Sequence, residues 1–425
     1  MQRLLLLMTT TTYKAEAYLD AAQRLGVSTT VGTDRPQALA ALDPQGNLDL
    51  PFDFPEVAVH RLCDFAARHP IDAVLAADDE GVVLAAHLAR ALGLAHNTVS
   101  AVETARNKLE MRRALQSAGL PIPRFACFPA DADPGSLTSE IEFPCVVKPL
   151  TGSGSRGVIR ADAPASFVAV FERVRAILAH SGRDAGILVE EYLPGVELAL
   201  EGLLQDGRLR TLALFDKPDP LEGPFFEETI YVTPSRLSPE LQAAIADSVQ
   251  RAVVALGLRT GPLHAEVRVN DRGIFLLEAA PRSIGGLCSR ALRFGRGGSS
   301  LEELLLLHAL GRDTGGLERE AAASGVMMIP IPRAGILREA GGTEAARAVP
   351  SIEEVRITAA RGQWLVPPPE GTRYLGFIFA RAPTPDAVES ALRQSHGRLR
   401  IDIDPDVTPP EASPRPVSTL ERSAR

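Results

Sequence analysis

Three acids, a histidine and three arginines crowd into LHAEVRVNDRGIFLLEAAPRSIGG, residues 263–286. The run Ile274 to Leu277 reads as a buried strand that ends in Glu278. An unpaired buried carboxylate is costly, so Glu278 must face water, a cation or a metal. A three-residue loop of Asp271, Arg272 and Gly273, with Gly273 left-handed, predicts a hairpin. It pairs Asn270 with Ile274 and Glu266 with Glu278. The two carboxylates then share a sheet face, roughly 5 Å apart at Cβ, where like charges destabilise. A divalent cation between them resolves the conflict, and hard oxygen ligands indicate Mg²⁺ shared with phosphates. Two exposed acids on a solvated face is the other reading, and a register shifted by one residue would separate them. The same register sets His264 opposite Ala280, beside the acids.

A second chemical stretch is VVKPLTGSGSRGVIRAD. Gly152-x-Gly154-x-x-Gly157 matches a dinucleotide fingerprint, but that fingerprint needs a helix to open at the loop. Here Val158 and Ile159 continue as strand, so the loop joins two strands of a hairpin. Backbone N–H groups around Ser153, Gly154 and Ser155 suit an anion nest. Lys148 supplies a point charge, and Arg156 at the tip could reach a terminal phosphate. A flexible surface turn is the alternative for the loop taken alone. VEEYLPGVE adds an apolar strand ending in Glu190 and Glu191, a turn containing Leu193, and then Glu197. Such a mouth suits adenine, with ribose hydroxyls on Glu197. An ordinary acidic strand end fits equally well. Lys108, on RNKLEMRRAL, is a helix-face charge.

These residues need elements to position them. The first hundred residues alternate strand and helix, as in RLLLLM, AEAYLDAAQRLG, STTVGT and EVAVHRLCDFAARHP, which predicts a parallel α/β domain over 1–100. TARNKLEMRRALQSAGL reads as one charged helix. Strands FPCVVKPL and GILVEEYL flank the helix SFVAVFERVRAILAH, and PELQAAIADSVQRAVVALGL is a long helix. We expect one domain over 101–325, a small mixed β/α domain over 326–408, and a disordered tail over 409–425.

Composition sets bounds. The 425 residues carry 45 Lys and Arg against 53 Asp and Glu, a net charge of −8 with no basic run. The footprint of a nucleic-acid binder is missing. Four cysteines form no CxxC pair, so neither a zinc cluster nor a disulfide framework is indicated, which fits a reducing cytoplasm. RLLLLM is too short for a signal core, and no apolar stretch is long enough to span a bilayer.

In this order, Lys108, Lys148 with TGSGSRG, VEEYLPGVE, Glu266 and EAAPR resemble an ATP-grasp enzyme with a Rossmann-like N-terminal domain. The resemblance covers about residues 1–410. It implies an α/β fold, α+β toward the C-terminus, with ATP between two subdomains of the central domain. It assigns ATP phosphates to Lys108 and Lys148, adenine to Glu190, Glu191 and Leu193 (partly through backbone), ribose to Glu197, and Mg²⁺, one or two ions with Mn²⁺ as a substitute, to Glu266 and Glu278.

MMIPIPRAGILREAGG and PPPEGTRYLGFIFARA are similar to the C-terminal parts of bacterial L-amino acid ligases and carnosine synthase. FDKPDPLEGPFFEETIYVTP likewise resembles their substrate-side segment, and places Lys217, Glu227 and Glu228 near a substrate pocket. The implied activity is an ADP-forming ligase joining a small carboxylate to an amine through an acyl phosphate. A homodimer is compatible with it. Lys148, Arg156 and Arg282 would then serve catalysis, with Arg282 clamping the carboxylate and Ser283, Gly285 and Gly286 allowing close approach. His264 is either a structural histidine or part of the substrate site. One departure stands out: many relatives have Asn, a ligand of a second metal, where this chain has Ala280, so that ion has fewer ligands or a neighbour such as His264 helps. A bicarbonate-activating enzyme like biotin carboxylase and a catalytically weak ATP-binding regulator are the rival readings.

Overall fold

A computed structural model describes residues 2–37, 42–180 and 186–405. The proposed tail, 409–425, lies outside them. The N-terminal part contains β1 (Arg3–Met8), α1 (Ala15–Arg24), β2 (Ser28–Thr33), β3 (Asn47–Asp49), α2 (Pro55–Ala66), β4 (Ala73–Ala76) and α3 (Val82–Ala91). Its strands run parallel in the order β3-β2-β1-β4. The apolar run of β1 is buried on both faces, as a doubly wound sheet requires. Leu5 and Leu7 meet Leu62, Phe65 and Leu88 on one side. Leu4 and Leu6 belong to a cluster on the other side that includes Leu301, Leu304 and Phe377. This domain therefore shares a core with the rest of the chain. Strand order reverses between β1 and β4, and ligands of open α/β sheets bind at such a switch point.

Next come α4 (Val99–Arg106) and α5 (Lys108–Ser117). The single helix expected over this stretch is broken at Asn107, whose backbone is extended at φ −94°, ψ 109°. Its Oδ1 accepts N–H bonds from Leu109 (3.0 Å) and Glu110 (3.3 Å), capping α5. The break puts Lys108 in the first turn of α5. The expected boundary at residue 100 falls inside α4.

A four-stranded sheet, β5 (Phe125–Phe128), β8 (Ile187–Glu191), β6 (Cys145–Pro149) and β7 (Ile159–Ala161), with α6 (Pro134–Leu137) and α7 (Pro164–His180), forms a lid subdomain. The glycine loop links β6 to β7, as the sequence indicates.

The body is an eight-stranded sheet. It uses β9 (Val196–Gln205), β10 (Arg208–Asp216), β11 (Ile230–Thr233), β12 (Gly261–Asn270), β13 (Gly273–Ala280) and β14 (Ala323–Ile329). Two later strands, β16 (Ile352–Ile357) and β18 (Gly376–Ala382), complete the order β13-β12-β9-β10-β11-β14-β18-β16. The helices α8 (Pro239–Leu256), α9 (Leu301–Ala309) and α11 (Pro385–His396) cover it. β15 (Gly335–Gly341), β17 (Trp364–Leu365) and β19 (Arg400–Asp404) make a small side sheet, with α10 (Thr343–Arg347) nearby. The boundary expected at 325/326 falls within β14, so the C-terminal segment extends the central sheet.

Alternation along β9 and β12 separates oil from charge. Leu198, Leu200, Leu263, Ala265 and Val267 join the core under α8. Glu197, Glu201, His264, Glu266 and Arg268 occupy the opposite parity, in the pairs Glu197↔Arg268 and Glu201↔His264. Removing the Asn107 cap with Asn107→Ala should lower stability by about 1 kcal/mol, seen as a reduced denaturant midpoint at unchanged slope.

Candidate active site

The hairpin pairs Glu266 with Glu278 and His264 with Ala280, as expected, but by another route. The turn holds two residues, Asp271 and Arg272, and Asn270 pairs with Gly273. The lost residue returns as a bulge at Leu277, between Val267↔Leu276 and Glu266↔Glu278. Arg112 of α5 explains why the bulge persists. Its Nη1 donates to the Leu276 carbonyl and its Nη2 to that of Leu277, each at 3.0 Å.

Arg112 is completely buried and also pairs with Glu190 of β8, Nε to Oε1 at 2.7 Å. Lys148 reaches Oε2 of the same carboxylate at 2.5 Å. Burial alone would raise the Glu190 carboxyl, but Arg112 and Lys148 outweigh it and hold it down to about 2. Lys148 goes the opposite way for a salt-bridged lysine: burial, with Arg112 and Lys108 nearby, depresses it to about 8 despite Glu190. The two shifts agree once charges are counted. Two cations share one carboxylate, Arg112 has the better geometry, and Lys148 is left as surplus positive charge at the foot of the glycine loop. Lys108 donates to the Gly152 carbonyl at 2.9 Å and lies 3.2 Å from Glu278 Oε2.

Glu266 belongs to a second network. Lys217 Nζ meets Glu197 (2.9 Å), Glu266 (3.1 Å) and Glu228. One oxygen from each of Glu197, Glu228 and Glu266 falls within 4.8 Å of the others. Burial and the neighbouring Glu266 push Glu228 up to about 7. His264 Nδ1 lies 2.5 Å from Glu201 and its Nε2 3.5 Å from Glu266. Burial would lower this imidazole, yet the two carboxylates raise it to about 9. His264 is thus held between Glu201 and Glu266, beside the position of Ala280.

A cleft of about 310 Å³ collects most of the expected residues: Lys108, Lys148, Ser153–Arg156, Glu190, Glu191, Leu193, Glu197, Glu228, His264, Glu266, Glu278, Arg282, Gly285 and Gly286 all line it. Several side chains face other ways than expected. The Glu191 carboxylate is held by Arg272 (2.7 Å) and Arg124, and its backbone N–H donates to the Arg124 carbonyl at 2.9 Å. The Leu193 carbonyl takes Arg268 Nη1 at 2.9 Å, and Arg268 and Lys217 hold Glu197. Arg156 Nε donates to the Glu370 carbonyl, so its reach toward a phosphate is not seen.

Three expected residues do not line the cleft. Lys217 lies beneath it among carboxylates. Glu227 turns to the Ile331 backbone, where burial raises its carboxyl. Ser283 Oγ faces Lys14 (3.2 Å) and Tyr18 (3.4 Å) of the N-terminal domain.

The N-terminal domain supplies what sequence reading missed. Loops after β1 and β4, at its switch point, line the cleft with Thr9, Thr11–Lys14 and Asp78–Glu80. Arg282 is buried and donates to Asp79 Oδ2 at 2.8 Å. Burial would raise the Asp79 carboxyl, but Arg282 holds it far below the usual range. Lys14 Nζ donates to the Ala77 carbonyl at 2.8 Å. The signal in the sequence was the acidic run Asp78–Glu80 at a strand end.

Residues 19–96 match the ATP-grasp N-terminal domain model, and residues 141–291 the ATP-grasp domain model. The chain belongs to the ATP-grasp superfamily. Residues 327–404 of this ATP-grasp chain match the L-amino acid ligase C-terminal domain 2. The fold is similar to the crystal structure of L-amino acid ligase from Bacillus licheniformis, at TM-score 0.81 and 26% identity over 95% of this chain and 99% of that one. Alanine–anticapsin ligase of Bacillus amyloliquefaciens is 28% identical over 54% of this chain and 52% of its own length. Carnosine synthase 1 of Gallus gallus is 31% identical over 52% of this chain and 25% of its own length. The match thus spans about half or less of these two relatives. No helix among the described residues is long and apolar enough to cross a membrane.

Arg112→Met should destabilise the protein by about 3–5 kcal/mol, because it leaves Glu190 short of charge in a buried place. Glu190→Met added to it should recover much of that loss in chemical denaturation.

Proposed function

We propose that this chain is an ADP-forming ligase that joins a small carboxylate, such as an amino acid, to an amine. The surplus charge of the Arg112–Glu190–Lys148 triad carries the reading. A buried lysine depressed to about 8 beside a glycine loop calls for an anion, and a polyphosphate fits. Lys148 and Lys108 hold the phosphates, the backbone of Glu191 (its carbonyl) and Leu193 faces adenine, and Glu197, fixed at the cleft wall by Arg268 and Lys217, keeps lone pairs for the ribose hydroxyls.

The paired carboxylates Glu266 and Glu278 fit a hard divalent cation. Mg²⁺ held there supplies neutralisation of phosphate charge. The substrate carboxylate attacks the γ-phosphorus of ATP and ADP leaves; the amine then attacks the acyl carbon of the acyl phosphate, the C–N bond forms and inorganic phosphate leaves. Arg282, fixed by Asp79, orients the carboxylate. Positioning and charge stabilisation dominate such phosphoryl transfer. Glu228, with its proton affinity near neutrality, is placed to take a proton from the amine. The lid keeps water from the acyl phosphate.

The test is ADP release over pairs of amino acids, with mass spectrometry of the products. Amide formation with equal ADP is expected. ADP release that depends on bicarbonate and needs no amine would overturn the reading. Glu278→Ala should cut amine-dependent ADP release by at least ~100-fold, and turnover at the wild-type rate would remove the metal assignment.

Nucleotide affinity should also depend on pH. Free Lys148 loses its proton as pH rises through about 8, so affinity falls there. Lys148→Arg stays charged and should keep its affinity above pH 9 in a titration with ADP. Equal pH profiles would contradict the role of Lys148.

A further inference from the structure

The loop from Val366 to Tyr374, between β17 and β18, touches both the lid and the cleft. Pro367, Pro368 and Pro369 have no N–H, so this stretch offers carbonyls and fixed φ angles. Gly371 N–H closes the loop on the Pro367 carbonyl at 3.0 Å. A Cβ on Gly371 would sit 1.8 Å from the Val366 carbonyl oxygen, so only glycine fits.

Toward the lid, the Pro369 carbonyl accepts Gly157 N–H at 2.8 Å, and the Glu370 carbonyl accepts Arg156 Nε at 3.1 Å. The Glu370 carboxylate takes both Nε (2.7 Å) and Nη2 (3.0 Å) of Arg173, on α7. Arg173 in turn lies over the Phe225 ring, 5.0 Å from its centroid. Toward the cleft, Thr372 and Tyr374 form part of the lining, and Tyr374 meets Phe377 edge-on at 6.0 Å.

We propose that Glu370 is a positioning residue for the ligase reaction. Through Arg173 and its own carbonyl it holds the glycine loop over the nucleotide, and the loop it sits on carries substrate occupancy at Thr372 and Tyr374 to lid closure. This rests on the ligase reading of the cleft. Within the glycine loop the Val158 N–H returns to the Ser155 carbonyl at 3.1 Å, but the Gly157 N–H leaves it for Pro369, and Gly152, Gly154, Ser155 and Gly157 all have positive φ. Lys108 pins the loop at Gly152, on its body side, and the proline loop pins the far side. When the far pin loosens, water reaches the acyl phosphate, whose hydrolysis returns carboxylate and phosphate without amide.

The experiment uses the full chain with Glu370→Ala, Arg173→Ala and the exchanged pair Arg173→Glu/Glu370→Arg. Arg173 and Glu370 side chains are 45% and 41% exposed, so the fold should survive each change. Two quantities are read: ADP released per amide formed, and hydrogen exchange of residues 151–158 with the ATP analogue AMP-PNP and Mg²⁺. Each single variant should raise both by roughly three- to fivefold, the scale of one well-formed exposed ion pair, and the exchanged pair should bring both back. Wild-type values in the single variants would overturn the proposal. So would an exchanged pair no better than the singles. If the wild type makes no amide with any pair, the ligase reading fails, and the exchange measurement alone decides whether Glu370 positions the lid.

Discussion

The Arg112 guanidinium is the interaction on which the site depends. One buried side chain on α5 joins the lid strand β8, through Glu190, to the hairpin strand β13, through the carbonyls of Leu276 and Leu277. These bonds span 78 and 164–165 residues of sequence. They hold the bulge that sets Glu278 across from Glu266. They also satisfy Glu190 and so leave Lys148 with charge to spare. A buried ion pair is a poor source of net stability after desolvation. Its value here is geometric, because it fixes where Lys148 stands relative to the Glu266–Glu278 pair.

The acidic face is balanced in a similar way. Glu197, Glu201, Glu266 and Glu228 gather on one side of the body sheet and its adjoining segment, where like charges would repel. Lys217, Arg268 and His264 are set among them, each touching at least two acceptors. The N-terminal domain closes the remaining side. Asp79 fixes Arg282, and Lys14 binds the Ser283 backbone and hydroxyl. The cleft is thus built from three parts of the chain that share cores and ion pairs, which suits a reaction that must exclude water.

Much of this was legible in the sequence. The period-two and period-3.6 patterns gave the parallel sheet, the glycine hairpin and the long helices, because local burial decides them. Glu266 and Glu278 were paired correctly through two compensating errors: the turn is shorter by one residue and the strand longer by one. A bulge leaves no local trace when its cause, Arg112, is 164 residues away. For the same reason the orientations of Arg156, Ser283 and Lys217 were not readable, since each is set by a partner on another element. Asn107 is an instructive exception. A capping residue in the middle of a helical pattern carries its own signal, and the smooth charge pattern around it concealed the break.

Label transfer from the substrate carboxylate tests the central claim most directly. A substrate with ¹⁸O at both carboxylate oxygens is turned over with ATP, Mg²⁺ and the amine, and the released phosphate is weighed by mass spectrometry. An acyl phosphate requires one ¹⁸O in phosphate for each amide formed. Amide formation with unlabelled phosphate would contradict the account.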